Sequence, residues 1–354
     1  TVDYKKELDE LIEIIVSENG PDIHLAVGSH PILRVGGSLI SLMKMPVLTH
    51  TDVLGFVHVL LTKEQEATFM ETHEVDFSFA AKNGVRFRGN GFFQRGAISV
   101  ALRHIPSVIK SLKDLALPEV LASFTQKPQG FFLCVGPVGQ GKSTTLASMI
   151  ELINQTRSEH IVTIEDPIEY IFEPKMSLID QREVRVDTAD FYTGLHSAFR
   201  QDVDVIMVGE MRGRDTIATA VTAAETGHLV FSTLHTNTAA QTIDRIIDTF
   251  PGDQQDQIRI QLSSSLTAIF SQRLIPSIAG GLVPAYELLI NNAAVANLIR
   301  EKRTHEIQTV IETGMENGMI DMNRTLMELV QKGVITVENA FAYSTNPSGL
   351  ERLM

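Results

Sequence analysis

Three observations predict an α/β protein of two domains. From Gly130 onward, apolar β-rich runs alternate with helical ones, which implies a mostly parallel sheet covered by helices. Before about residue 105 the chain reads as a smaller α+β unit, with strand-like alternation broken by turn pairs. Between them, Ile105-Pro106-Ser107 interrupts the strand pattern and Leu112 to Pro118 reads as a connector. The expected division is residues 1–105, a linker over 106–118, and 119–354 with a largely helical end.

Leu8, Leu11, Ile12, Ile15 and Val16 recur at helical spacing, and Gly20-Pro21 closes that pattern as a glycine cap followed by a helix breaker. Asp22 to Val27 and Ile32 to Leu42 read as strands, and Gly36-Gly37 suits a tight hairpin. Two short helices are expected over Thr51 to Leu61 and Lys63 to His73. Val75 to Val100 returns to strand-like alternation, with Asn83-Gly84 as the turn and Arg86 and Arg88 on one face. In the second domain the expected strands are Phe131 to Val135, Ile161 to Ile164, Val205 to Val208 and Leu229 to Leu234. After Phe250-Pro251-Gly252 a helical remainder is expected, except for a strand at Val283 to Ile290.

The 354 residues are 44% hydrophobic and 21% charged, enough to bury a real core. A net charge of −13 argues against a duplex-binding surface, which needs many Lys and Arg to displace phosphate counterions. The single cysteine, Cys134, lies in an apolar run and reads as a buried hydrophobe, so no disulfide framework or four-cysteine zinc site can form. No apolar run reaches the roughly 18 residues of a membrane span, and the first residues lack a signal peptide's apolar core. A cytoplasmic protein without direct membrane insertion is expected.

The strongest motif is Gly136-Pro137-Val138-Gly139-Gln140-Gly141-Lys142-Ser143-Thr144, which satisfies G-x-x-x-x-G-K-[ST] between an apolar strand and a helical run. Glycines let backbone N–H groups turn inward around phosphate oxygens, and the following helix presents its positive end. Lys142 then reaches the β- and γ-phosphates of ATP, and Ser143 can ligate Mg²⁺. An ordinary glycine-rich turn would explain the glycines but not the adjacent Lys-Ser.

Two acidic strand ends follow. Thr163-Ile164-Glu165-Asp166-Pro167-Ile168-Glu169 should open on the ligand crevice, since strand carboxyl ends form it in open α/β sheets. Glu169 is the candidate to orient or deprotonate the attacking water, with Glu165 and Asp166 nearer the metal or the sheet edge; a solvated acidic turn is the bland alternative. Val205-Ile206-Met207-Val208-Gly209-Glu210 has the layout of a Walker B strand, with Gly209 at the usual aspartate position. Glu210 would hold Mg²⁺ through water or polarise the nucleophile, and the residues alone do not divide these tasks between Glu169 and Glu210. His228 should open the next strand and His235 close it, so His235 at the crevice end is the candidate phosphate sensor or water-network member, while His228 is an even choice between a satisfied core histidine and a second site residue. Arg86, Arg88, Arg95 and Arg103 form either a solvated basic face or arginines supplied to the transferring phosphoryl group across a subunit boundary.

Together these residues resemble the secretion-ATPase superfamily and, within it, the twitching-motility retraction ATPases of type IV pili. The likeness spans nearly the whole chain: the Walker A loop, an aspartate box (Thr163 to Glu169), the Walker B segment ending Gly209-Glu210-Met211-Arg212, and a histidine box (Thr226 to Thr236). Ala294-Val295-Ala296-Asn297-Leu298-Ile299-Arg300-Glu301 resembles the retraction subfamily's signature but has Ala296 where that signature has arginine, and Val203 stands where proline is common. The resemblance implies a PAS-like first domain, a RecA-like ATPase domain, and a homohexameric ring with nucleotide between the domains. It implies that Glu169 is the catalytic glutamate, that Glu210 is the Walker B glutamate, and that first-domain arginines complete the site. It also implies work on an inner-membrane platform protein from the cytoplasmic face. Pilus-extension and many type II secretion ATPases of similar sequence carry a four-cysteine element, which one cysteine excludes. The alternatives are an accessory retraction or other secretion-type ATPase, a RecA-like nucleic-acid translocase, and a nucleotide-gated adaptor.

Overall fold

The computed structural model describes residues 2–18, 20–35 and 38–354. The chain forms two compact units. One comprises Thr1–Val108 with Glu169–Ile171, the other Ile109–Ile168 with Phe172–Met354.

The first unit opens with α1 (Tyr4–Ser17), whose Leu8, Leu11, Ile12 and Ile15 are buried, as their helical spacing requires. There follow β1 (Asp22–Ala26), β2 (Ile32–Val35), β3 (Ser38–Ser41), α2 (His50–Leu60), α3 (Lys63–Thr72), β4 (Glu74–Ala80), β5 (Arg86–Gln94) and β6 (Ala97–Ile105). Both short helices begin at capping boxes, Thr49 with Asp52 and Thr62 with Gln65, which satisfy the orphan N–H groups of their first turns. The strands form an antiparallel sheet in the order β3-β2-β1-β6-β5-β4. The expected Gly36-Gly37 turn lies outside the described residues. The run expected as one alternating stretch to Val100 is divided by a second turn at Arg95-Gly96, where both residues have positive φ.

In the second unit, α4 (Val120–Phe124) leads to β7 (Gly130–Val135), α5 (Lys142–Thr156), β8 (His160–Glu165), β9 (Leu178–Glu183), α6 (Phe191–Ala198), β10 (Val205–Val208), α7 (Arg214–Glu225) and β11 (Leu229–Leu234). Then come α8 (Ala239–Asp248), α9 (Gly252–Ser265), β12 (Leu266–Pro276), β13 (Leu282–Ile290) and a helical remainder beginning with α10 (Ala293–Arg300). The seven-stranded sheet has the order β13-β12-β7-β11-β10-β8-β9 and is parallel except for β12 against β13. β7, β10 and β11 are buried at every residue, the signature of a sheet covered on both faces.

The helical remainder expected after Phe250 is wrong over Leu266–Pro276, which is an 11-residue central strand. Its first seven residues are all buried, so it lacks two-residue alternation, and it follows α9 directly with no turn signal between. Edge strand β9 also falls outside the expected set: it reads Leu178-Ile179-Asp180-Gln181-Arg182-Glu183, too polar for the parallel-strand pattern.

The topology makes a crevice. From β7 the chain crosses to β8 and β9, returns through β10 and β11, and reaches β12 on the other side of β7. The carboxyl ends of β10, β11, β7 and β12 are therefore neighbours although their residues are scattered from 135 to 276.

Glu287 on β13 is buried beneath this sheet edge, and burial pushes its carboxyl up to about 7 from an ordinary 4.5, with Asp321 and Glu312 adding repulsion. Its Oε1 accepts the Ala239 N–H at 3.0 Å, capping α8. Between pH 4.5 and 7 the folded state holds a proton that the unfolded chain has released, so stability falls as pH rises through that window. The loss is on the order of 3 kcal/mol for a shift of this size. Glu287→Gln keeps the capping oxygen and removes the titration. Urea unfolding at pH 5 and pH 8 should show the wild type losing stability relative to Glu287→Gln; parallel curves would contradict this assignment.

Candidate functional site

β7 ends in a loop whose first and last glycines have no room for a side chain. Gly136 has φ 148°, and a Cβ there would run into the carbonyl oxygen of Gln272. Gly141, at φ 79°, would bring a Cβ within 2.8 Å of the Gln272 side-chain amide. Gly141 is also the N-cap of the 15-residue helix α5, which no side chain caps. The positive end of that helix is thus left to an anion.

Lys142, 7% exposed, folds its side chain back over the loop. Its Nζ donates to the carbonyls of Gly136 at 2.8 Å and Pro137 at 2.7 Å, and lies 3.3 Å from His235 Nδ1. Burial holds the ammonium pKa below its ordinary value, while Cys134 and Glu210 oppose that shift. On the far side of the same imidazole, His235 Nε2 is 3.3 Å from Glu210 Oε1. The imidazole thus stands between the ammonium, with Nδ1 in hydrogen-bond reach of Nζ, and the Glu210 carboxylate at ion-pair distance, so a row Lys142–His235–Glu210 runs along the crevice. Arg212 steadies the other carboxylate oxygen of Glu210, at 3.0 Å from Nε and 2.9 Å from Nη2.

Hydroxyls of β11 fix the strand ends beneath this row. Ser232 Oγ donates to the Val208 carbonyl and Thr233 Oγ1 to the Gly209 carbonyl, each at 2.6 Å. The residue after Gly209 is thereby aimed at the crevice.

The acidic run after β8 is dispersed. β8 stands three strand positions from β7, roughly 14 Å at the usual spacing. Glu165 is buried there and accepts from Thr163 Oγ1 at 2.7 Å, while Asp166 pairs with Arg185 at 2.6 Å. Glu169 belongs to the first compact unit, where its carboxylate is 3.9 Å from the Arg88 guanidinium. His228 sits at the start of β11, roughly 20 Å along the strand from His235, and its Nδ1 is 3.1 Å from the Ala223 carbonyl at the end of α7. In the first unit, Arg103 donates to both carboxylate oxygens of Asp22, at 2.7 and 3.3 Å, across the β1–β6 pair. Arg86 has a buried Nε without a hydrogen-bond partner, and Arg95 lies in the exposed β5–β6 turn.

Sequence reasoning misses Gln272 and Thr145. Gln272 on β12 contacts the loop directly, but its strand reads as helix from the residues alone. Thr145 lies two residues past Ser143, the last position of G-x-x-x-x-G-K-[ST], so that pattern does not include it.

These residues fit a nucleoside triphosphate: inward-turned glycine backbone, an uncapped helix start and a buried ammonium converge where phosphates would lie. Among the described residues no trio of His, Cys, Asp or Glu is grouped to hold a metal ion. The oxygen donors nearby, the Ser143 hydroxyl and the Glu210 carboxylate, suit Mg²⁺ held largely by phosphates and water rather than by a protein cage. No helix among the described residues is long and apolar enough to cross a membrane.

Residues 8–281 match the type II/IV secretion system protein family. The type IV pilus retraction ATPase PilT of Pseudomonas aeruginosa is 43% identical over 334 residues, covering 94% of this chain and 97% of that one. The type IV pilus ATPase PilU of the same organism is 38% identical over 352 residues, covering 98% and 91%. A crystal structure of the pilus retraction motor PilT with bound ADP superposes with a TM-score of 0.91 at 46% identity, covering 97% and 98%.

Replacing Gly136 by Ala should destabilise the second unit by about 2–4 kcal/mol, since backbone strain adds to a collision with immovable backbone. Gly213→Ala, at φ 79° and ψ 158° but with open space around it, should cost less, about 1–3 kcal/mol from backbone strain alone. Equal losses in chemical denaturation would contradict the close approach of β12 to the loop.

Proposed function

We propose that this chain, which belongs to the type II/IV secretion system protein family, is a Mg²⁺-dependent ATPase motor that powers retraction of type IV pili. The observation that carries the reading is the row Lys142–His235–Glu210 at the mouth of a glycine loop and a helix start. Its support in comparison is the likeness over nearly full length to proteins named for pilus retraction and to one holding ADP.

In this reading Lys142 exchanges the carbonyls of Gly136 and Pro137 for β- and γ-phosphate oxygens, and the backbone N–H groups of Val138, Gly139, Gln140, Gly141, Ser143 and Thr144 cradle the rest, with Gly136 and Pro137 shaping the turn. Mg²⁺, held by Ser143 and through water by Glu210, would neutralise charge on the phosphates. Release of Lys142 also frees His235, which is already on Glu210, so terminal phosphate and acidic group communicate through one imidazole. Glu210 or Glu169 orients water for attack on the γ-phosphorus, giving ADP and phosphate, and protons pass to the carboxylate or bulk water. Glu165 and Asp166 shape the neighbouring strand end, and His228, at the opposite end of β11, packs against the end of α7 instead of the crevice.

Arg86, Arg88, Arg95 and Arg103 belong to the first domain, which the resemblance assigns to completing a site in a homohexamer. Of these, Arg103 is engaged by Asp22 through two hydrogen bonds, whereas Arg88 has a longer contact to Glu169. The motor would act on an inner-membrane platform protein from the cytoplasmic face, with no nucleic acid involved.

Glu210→Gln should lower ATP turnover about 100-fold while leaving ADP affinity within about threefold, as expected when a group acts on the water rather than on the bound phosphates. A variant hydrolysing at the wild-type rate would remove Glu210 from the mechanism. In cells, deletion of the gene should leave excess surface pili without twitching; bald cells would point instead to pilus extension.

A further inference from the structure

We propose that Gln272 is a positioning residue for the phosphate-binding loop, clamping the loop's end to the first turn of α5 so that its amides are set before nucleotide arrives. This rests on the reading of Gly136 to Thr144 as the nucleotide site.

β12 lies parallel to β7 with Ser271 opposite Val135, so the next residue, Gln272, comes level with the base of the loop. Its side chain is 3% exposed. Oε1 accepts from the Thr145 hydroxyl at 2.5 Å, and Nε2 donates to the Gln140 carbonyl at 2.8 Å. Gln140 answers in kind: its own Oε1 accepts the Leu274 backbone N–H at 2.8 Å. Two side-chain amides thus reach across to each other's backbone neighbourhood and tie strand, loop and helix together.

The chemistry at this position is narrow. One group must accept from a hydroxyl and donate to a carbonyl, and a terminal amide does both. Turning the amide over would set its oxygen against the Gln140 carbonyl, so the network fixes its orientation. A carboxylate cannot donate, leucine can do neither, and asparagine falls one methylene short. The two loop glycines also face Gln272, one against its carbonyl oxygen and one against its amide, so the clamp and the missing side chains form one packing arrangement.

None of Lys142, His235 and Glu210 is bonded to Gln272. Its removal should therefore act on the cost of ordering the loop around phosphate, and hence on binding, more than on the chemical step. The test uses the full-length chain with Gln272→Leu, Thr145→Val and the double variant, measuring ADP affinity by calorimetry, KM and kcat for ATP, and the melting temperature. Thr145→Val, which breaks one buried hydrogen bond, should weaken ADP about tenfold, and Gln272→Leu, which breaks two, at least as much, each with kcat within about threefold. The double variant should be little weaker than Gln272→Leu alone, because the bond lost in Thr145→Val is already lost there. Thr145→Val keeps the side chain's shape and carries the test if Gln272→Leu fails to fold. Unchanged ADP affinity in a folded variant, with only the melting temperature lowered, would overturn the clamp, as would losses that add fully in the double variant. A wild-type chain that binds no ADP would overturn the nucleotide-site reading itself.

Discussion

Backbone that must present its N–H groups to an anion has no room for side chains on that face, and the loop from Gly136 to Gly141 is built on this constraint. Gly136 and Gly141 occupy positive φ and pass against β12, so the loop's path is dictated jointly by its glycines and by the strand beside it. The buried lysine follows from the same geometry. With the loop curled, its own carbonyls face inward near Nζ and satisfy an ammonium that burial would otherwise penalise.

That satisfaction is provisional. Two neutral carbonyls and an imidazole are weaker partners for an ammonium than phosphate oxygens, because charge-assisted hydrogen bonds are roughly twice as strong as neutral ones. Binding would thus replace the lysine's partners without unfolding anything, and the displaced imidazole is already in contact with Glu210. The topology supplies the convergence: four strands from distant parts of the chain end side by side, each contributing one element of the site.

Much of this is legible in the sequence, for identifiable reasons. β7, β10 and β11 announce themselves as short apolar runs, and each ends at a glycine, glutamate or histidine that a covered sheet would expose only at its carboxyl edge. That rule places His235 and Glu210 in the crevice, and they meet there. β12 is illegible because it is buried on both faces and follows a helix without a turn, and the loss of the strand conceals Gln272 with it. The arginines show another limit: spacing puts Arg103 on a strand, but only the pairing of β1 with β6 sets Asp22 beside it. The acidic run after β8 reads as one cluster, yet its three carboxylates have separate partners in Thr163, Arg185 and Arg88.

The central claim is that Lys142 and the loop amides exchange their resting partners for a nucleotide's terminal phosphates. A crystal structure of the chain with a non-hydrolysable ATP analogue and magnesium tests it most directly. Lys142 Nζ should have left the carbonyls of Gly136 and Pro137 for β- and γ-phosphate oxygens, with the phosphates at the start of α5. Phosphates bound elsewhere, or Lys142 still on those carbonyls beside a bound nucleotide, would contradict the claim.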